Sequence, residues 1–135
     1  MTPEDKKLVI KDICGRLPYK VKIHIGKTQR IEVFDDINLD VGYINNSYAD
    51  IRPYLFPLSS MTEEQKYDFY CRFIENDCDF DDFKEFYFEN NEWHKMLTSI
   101  DDIEEIIDWF NKNHFDFRCL IPMGLAIDAT DKNIY

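Results

Sequence analysis

The sequence predicts an α+β domain: an N-terminal helix, a three- or four-stranded antiparallel meander, then three helices packed on one sheet face. Three observations carry that expectation. Apolar residues recur at helical spacing near the N-terminus and again beyond residue 62. Between those stretches the apolar period switches to two, and capping residues, glycines and asparagines mark each change. The 135 residues suit a single core. Their 11 Phe, 8 Tyr and 2 Trp supply aromatic area that a disordered chain lacks.

Thr2, Pro3, Glu4 and Asp5 read as a helix start, with a hydroxyl cap, proline in the first turn and acids at the positive end of the dipole. Val9, Ile13 and Leu17 form the expected apolar stripe, with Ile10 and Cys14 beside them, and Gly15 and Pro18 end the helix. In the run from Lys20 to Ile25, Val21, Ile23 and Ile25 alternate with Lys20, Lys22 and His24, the pattern of a half-buried strand. A turn at Gly26, Lys27 and Thr28 leads to a second alternating run at residues 30–34, so a hairpin is expected. Residues 39–44 are a third strand candidate, and residues 48–51 a short fourth. Pro53 and Pro57 bracket Tyr54, Leu55 and Phe56, which read as an apolar connection.

Thr62 and Gln65 are spaced as a capping box, and Glu63 and Glu64 suit a helix N-terminus. Tyr67, Tyr70, Cys71 and Ile74 follow at i, i+3, i+4 and i+7, so this helix should bury them. A shorter helix after Asp79 carries Phe80, Phe83 and Tyr87 and gives out near Asn90 and Asn91. Ser99 caps the last helix, where Ile100, Ile103, Ile107 and Phe110 line one side and Glu104, Glu105 and Asp108 the other. Asn113 closes it. The organisation expected is one domain over 1–135: helix plus sheet in 1–52, an acidic helical half in 62–114, and an apolar tail in 115–135 that packs back on the core.

Charge is the most informative quantity. Sixteen bases against 27 acids give −11 overall. Residues 62–108 hold 16 acids and 4 bases, whereas residues 1–30 hold 8 bases and 3 acids. Free nucleic acid and anionic membrane surfaces are therefore disfavoured partners for the molecule as a whole. No apolar run reaches membrane-spanning length, and the charged N-terminus does not read as a signal peptide, so a cytoplasmic location is expected. Cys14, Cys71, Cys78 and Cys119 show no CxxC spacing and read as reduced thiols, with Cys14 and Cys71 placed on apolar helix faces.

Motifs for chemistry are weak. Asp77, Asp79 and Asp81 begin like a calcium loop, but the sixth position is Asp82 instead of glycine and the twelfth is Phe88 instead of glutamate. His24, His94 and His114 lack metal-ligand spacing, and His114 suits a helix C-terminus. No nucleophile elbow or glycine-rich phosphate loop is present. No metal, cofactor or catalytic residue is expected.

Two stretches carry a resemblance. Residues 52–64 read RPYLFPLSSMTEE, and residues 113–118 and 120–129 read NHFDFR and LIPMGLAIDA; Leu17, Pro18 and Tyr19 go with them. Together they resemble a group of small uncharacterised proteins encoded by phages, prophages and related mobile elements of Bacteroides-type gut bacteria. The resemblance implies a bacterial, cytoplasmic setting and brings no activity, cofactor or catalytic residue with it. Nothing in residues 77–96 takes part in it.

The function expected is that of a non-enzymatic accessory protein acting by contact with a basic protein partner. Its surface would be Glu63, Glu64, Asp68, Glu104, Glu105 and Asp108. Against that stands a solvated face that keeps an aromatic-rich protein in solution. Two alternatives come from other classes. One is a nucleic-acid-binding module using Lys20, Lys22, His24 and Arg30; the other is an enzyme assembled around His114, Cys119 and nearby carboxylates.

Overall fold

The computed structural model describes residues 2–25, 31–34, 51–90 and 103–135. The expected turn at Gly26–Thr28, Arg30, the strands at 39–44 and 48–50, His94, and the cap and first turn at Ser99 and Ile100 lie outside those residues. The chain divides into two compact units. One comprises Met1–Leu58 with Phe110–Tyr135, the other Ser59–Trp109.

In the first unit, α1 spans Pro3–Gly15. Thr2 caps it: its hydroxyl accepts from Asp5 N–H, and the Asp5 carboxylate accepts in return from Thr2 N–H. The buried stripe is Val9, Asp12, Ile13 and Arg16, at i, i+3, i+4 and i+7. That is a rotation of the expected face: Ile10 and Leu17 are half-buried, and Cys14 is exposed because it falls on the edge of the stripe.

A single helical turn at Leu17–Tyr19 leads through Lys20, in left-handed conformation at φ 54°, to β1 (Lys22–Ile25). β1 pairs antiparallel with β2 (Ile31–Val33), with Ile23 opposite Glu32, so the expected hairpin strands are present. β3 spans Ile51–Leu55 and pairs antiparallel with β1, Ile23 lying opposite Pro53. β4 (Ile127–Asp128) then adds parallel to β3.

The sheet is four-stranded in the order β2-β1-β3-β4 and mixed, which corrects the expectation of a purely antiparallel meander. The stretch read as an apolar connection is itself an inner strand. Pro53 is tolerated there because pairing with β4 begins only at the next residue, Tyr54, so no ladder position is left short of a donor. α1 covers one face of this sheet, and Val9, Ile13, Val21, Ile23, Phe34, Ile51, Leu55, Leu120, Leu125 and Ala126 form one core.

Leu120, Leu125 and Ala126 of the tail belong to that core. Phe56 N–H donates to His114 O and Asp116 N–H to Phe56 O, which ties the tail to the end of β3. The loop beyond is organised by the Asp116 carboxylate, which accepts from Leu120 N–H and Ile121 N–H at 2.8 Å each. Gly124, at φ +74°, makes the turn that returns the chain to Leu125.

In the second unit, α2 spans Glu63–Phe73 with the expected capping box between Thr62 and Gln65. Here too the buried face is rotated. Phe69 is fully buried and Ile74 nearly so, Tyr70 is half-buried, and Tyr67 and Cys71 are exposed. α3 (Phe80–Lys84) starts at Asp79, whose carboxylate accepts from Asp82 N–H, and widens into a π turn at Glu85–Glu89. Asp79 thus acts as a helix cap, the use that the calcium-loop pattern competes with. α4 spans Ile103–Lys112, and the chain passes from one unit to the other within it. Its buried residues are Ile106, Trp109, Phe110 and Asn111, while the expected Ile103 and Ile107 are half-buried.

Candidate functional site

The second unit carries most of the acidic side chains on an aromatic interior. Phe69 stacks on Phe83 at 5.9 Å and meets the Trp109 ring edge-on at 5.1 Å. Trp109 Nε1 donates to the Asp68 carboxylate at 2.9 Å, so α4 is held to α2 by one buried ring and one polar bond. Asp68 also takes the Arg72 guanidinium at 2.9 Å, the i, i+4 pair that helical spacing permits.

Glu63 is engaged by two cations. Its two oxygens receive Lys66 at 3.2 Å and Lys84 at 3.4 Å, and these cations hold its pKa below the ordinary value. Both lysines also lie on rings, Lys66 Nζ 4.5 Å from the centre of Phe88 and Lys84 Nζ 4.6 Å from that of Phe80. Lys66, Arg72 and Lys84 are the described basic residues of this unit, and all three are paired inside it. Glu64, Glu104, Glu105 and Asp108 are exposed. Among the described residues, Glu64, Glu104 and Glu105 make no ion pair. Of the six expected surface residues, Glu63 and Asp68 are thus paired with cations of the same unit, Glu63 remaining exposed, and Glu64, Glu104, Glu105 and Asp108 are also at the surface.

The basic row in the first unit is not an open strip. Lys20 is exposed but precedes the strand. The Lys22 ammonium is bonded to the Ile134 carbonyl and lies 5.6 Å from the centre of the Tyr135 ring. His24 meets Tyr54 edge-on at 6.4 Å.

His114 and Cys119 serve different ends. His114, at φ 60°, terminates α4, donating its N–H to Asn111 O, as a helix-end residue would. Its ring stacks on Tyr135 at 3.8 Å, and burial, with Arg16 and Lys22 nearby, pulls its pKa down to about 4. Cys119 is exposed, and the nearby Asp116 carboxylate is occupied by Leu120 and Ile121. Among the described residues, no three His, Cys, Asp or Glu side chains are grouped so as to hold a metal ion.

No protein-family model, curated protein or solved structure matches this chain.

Sequence reasoning missed one polar cluster. Arg16 Nε and Nη2 donate to Asp12 at 2.8 and 3.1 Å, Nη2 also donates to Phe115 O, and Arg118 reaches Asp12 at 2.7 Å. Both guanidiniums flank Phe117. The signal was present: Asp12 and Arg16 complete the helical stripe with Val9 and Ile13. This cluster ties α1 to the tail, and its carboxylate is fully committed. A shallow cavity of about 280 Å³ lies under the tail, lined by Phe56, Ala129, Asp131, Asn133, Ile134 and Tyr135. No described helix is long and apolar enough to cross a membrane.

Proposed function

We propose that this chain is a non-enzymatic accessory protein of a phage or other mobile element, working in the bacterial cytoplasm by contact with a basic protein. The contact surface is the exposed acidic side of the Ser59–Trp109 unit, with Glu64, Glu104, Glu105 and Asp108 as its outward carboxylates. One observation carries the reading. The unit's described cations are consumed in pairs with Glu63, Asp68 and Asp81, while these other carboxylates stay at the surface.

Such a field accelerates encounter with a cationic partner and repels polyanions, so nucleic acid is not the partner in this reading. The basic strand face is the weaker basis for function, because the Lys22 ammonium is already taken up by the tail.

The test compares the wild-type chain with the triple reversal E104K/E105K/D108K as bait in a lysate of the native host, eluted with rising salt. The reading expects a basic protein held by the wild type, released as salt rises and absent from the variant. Equal retention on both baits overturns it.

A further inference from the structure

On α2 and α3 of the acidic unit, three rings meet at the surface. Tyr67 is 56% exposed. It stands edge-on to Phe80 at 5.3 Å and lies 6.2 Å from Tyr70, which is itself 5.4 Å from Phe80. The Tyr70 hydroxyl is fixed by donating to Cys78 O, and Phe80 is anchored from below by Phe83. The triad is therefore a rigid aromatic step whose exposed ring is that of Tyr67.

Its surroundings are acidic. Glu64 lies three residues before Tyr67 on the same helix, so the two side chains are neighbours on its surface. Glu75, just past the helix end, donates its N–H to Tyr70 O at 2.9 Å, which places it beside the step. The Tyr67 pKa is raised by its bond with Cys71 and by Glu75; that of Tyr70 is raised by burial, then by Glu75 and Asp79.

The same unit shows what such a combination holds. Lys66 sits between Glu63 and the Phe88 ring, and Lys84 between Glu63 and the Phe80 ring. In each case an ammonium takes a carboxylate on one side and an aromatic ring on the other. Tyr67 with Glu64 and Glu75 repeats those ingredients at an exposed position.

We propose that the Tyr67 ring, propped on Tyr70 and Phe80, receives an arginine side chain from a basic protein segment, with Glu64 and Glu75 holding its guanidinium. This rests on the reading of the acidic unit as a protein-docking surface and names the anchor within it. Arginine fits better than lysine, because a planar and weakly hydrated guanidinium can lie on an open ring while forking to carboxylates. A purely apolar segment would leave the carboxylates unused, and a phosphate polymer would be repelled by them.

The probe is a fluorescently labelled arginine–serine repeat peptide, titrated in parallel with a lysine–serine peptide of equal length and a single-stranded DNA oligomer. The protein variants are Tyr67→Leu, which keeps apolar bulk at an exposed site, the pair E64Q/E75Q, and E104K/E105K/D108K. Wild type is expected to bind the arginine peptide more tightly than the lysine peptide and to ignore the oligomer. Tyr67→Leu should weaken the arginine peptide by about tenfold and erase its advantage over lysine. E64Q/E75Q should weaken it in the same direction. Unchanged binding in Tyr67→Leu overturns the anchor. If E104K/E105K/D108K alone then abolishes binding, the docking surface stands without it. Loss of binding in Tyr67→Leu with none in the triple reversal keeps the anchor and removes the α4 face. Binding of the oligomer in preference to the peptides overturns both.

Discussion

Asp12 and Arg16 pair one helical turn apart with neither side chain exposed, and the arginine reaches on to the Phe115 carbonyl. A pair at this spacing on a helix surface would contribute little. Buried, it makes α1 dependent on the tail: Arg118 is a second cation on the same carboxylate. Asp12→Ala should cost about 3–5 kcal/mol, because two guanidiniums lose their anion and one of them is enclosed. Replacing both members by apolar residues, D12L/R16M, should cost much less than the single change. Urea denaturation of both variants checks the order; equal losses would mean that the pair is not what ties the helix to the tail.

Tyr135 is 40% exposed as a residue, yet its hydroxyl is enclosed, accepting from Lys22 N–H and donating to Tyr54 O at 2.8 Å each. The phenol therefore links β1 to β3 just where their pairing begins, and burial pushes its pKa up to about 12. Tyr135→Phe should cost about 1 kcal/mol and speed hydrogen exchange at the Lys22 amide more than elsewhere in β1. Uniform exchange along the strand would show that the hydroxyl is not holding that end.

His114 sets a pH dependence. Burial first, then Arg16 and Lys22, lower its pKa from 6.5 to about 4 in the fold. As pH falls through that interval the unfolded chain takes up a proton that the folded chain refuses. The stabilisation is whole above about pH 6.5 and is lost on going down to about pH 4. Asp116 works in the opposite sense. Burial raises its pKa, so the folded form is protonated first and gains stability as pH falls toward the ordinary aspartate range. His114→Asn keeps a residue that tolerates the left-handed backbone and removes the titration. Its urea midpoint should vary less than that of wild type between those two pH values. An unchanged slope would place the titration elsewhere.

Much of this architecture could be read from residue spacing where local chemistry decided it. Thr62 with Gln65, Thr2 with Asp5, and Asp79 each cap a helix by bonds made within one turn, so short-range pattern sufficed. The helix faces were harder. In α1, α2 and α4 the buried stripe sits rotated from the one drawn by counting apolar residues. Asp12 and Arg16 are buried as a pair, Tyr67 and Cys71 face outward, and Phe69, Ile106 and Trp109 fill the interior. Hydropathy alone cannot register a salt bridge as core or a tyrosine as surface. β3 was missed because Pro53 argues against an inner strand unless the limits of its neighbour are known, and β4 because two residues carry no periodicity. Of the candidate surface, the charge imbalance was plain in the composition. The pairing of Glu63 with Lys66 and of Asp68 with Arg72 follows from helical spacing, whereas the second lysine on Glu63, Lys84, arrives from another helix.

Phe69 tests the interior that supports this surface. It is fully buried and touches Phe73, Phe83 and Trp109. Phe69→Ala should cost about 3–5 kcal/mol and shift Trp109 fluorescence toward that of an indole in water. Phe69→Leu should lose less than half of that, and an unshifted tryptophan in Phe69→Ala would contradict the packing.

The most direct test of the central claim is the salt dependence of association, measured by stopped flow with the arginine–serine peptide for wild type and for E104K/E105K/D108K at equal stability. An acidic docking surface predicts a wild-type association rate that falls steeply as salt rises and a variant rate that is low throughout. Superimposable salt profiles for the two proteins would contradict it.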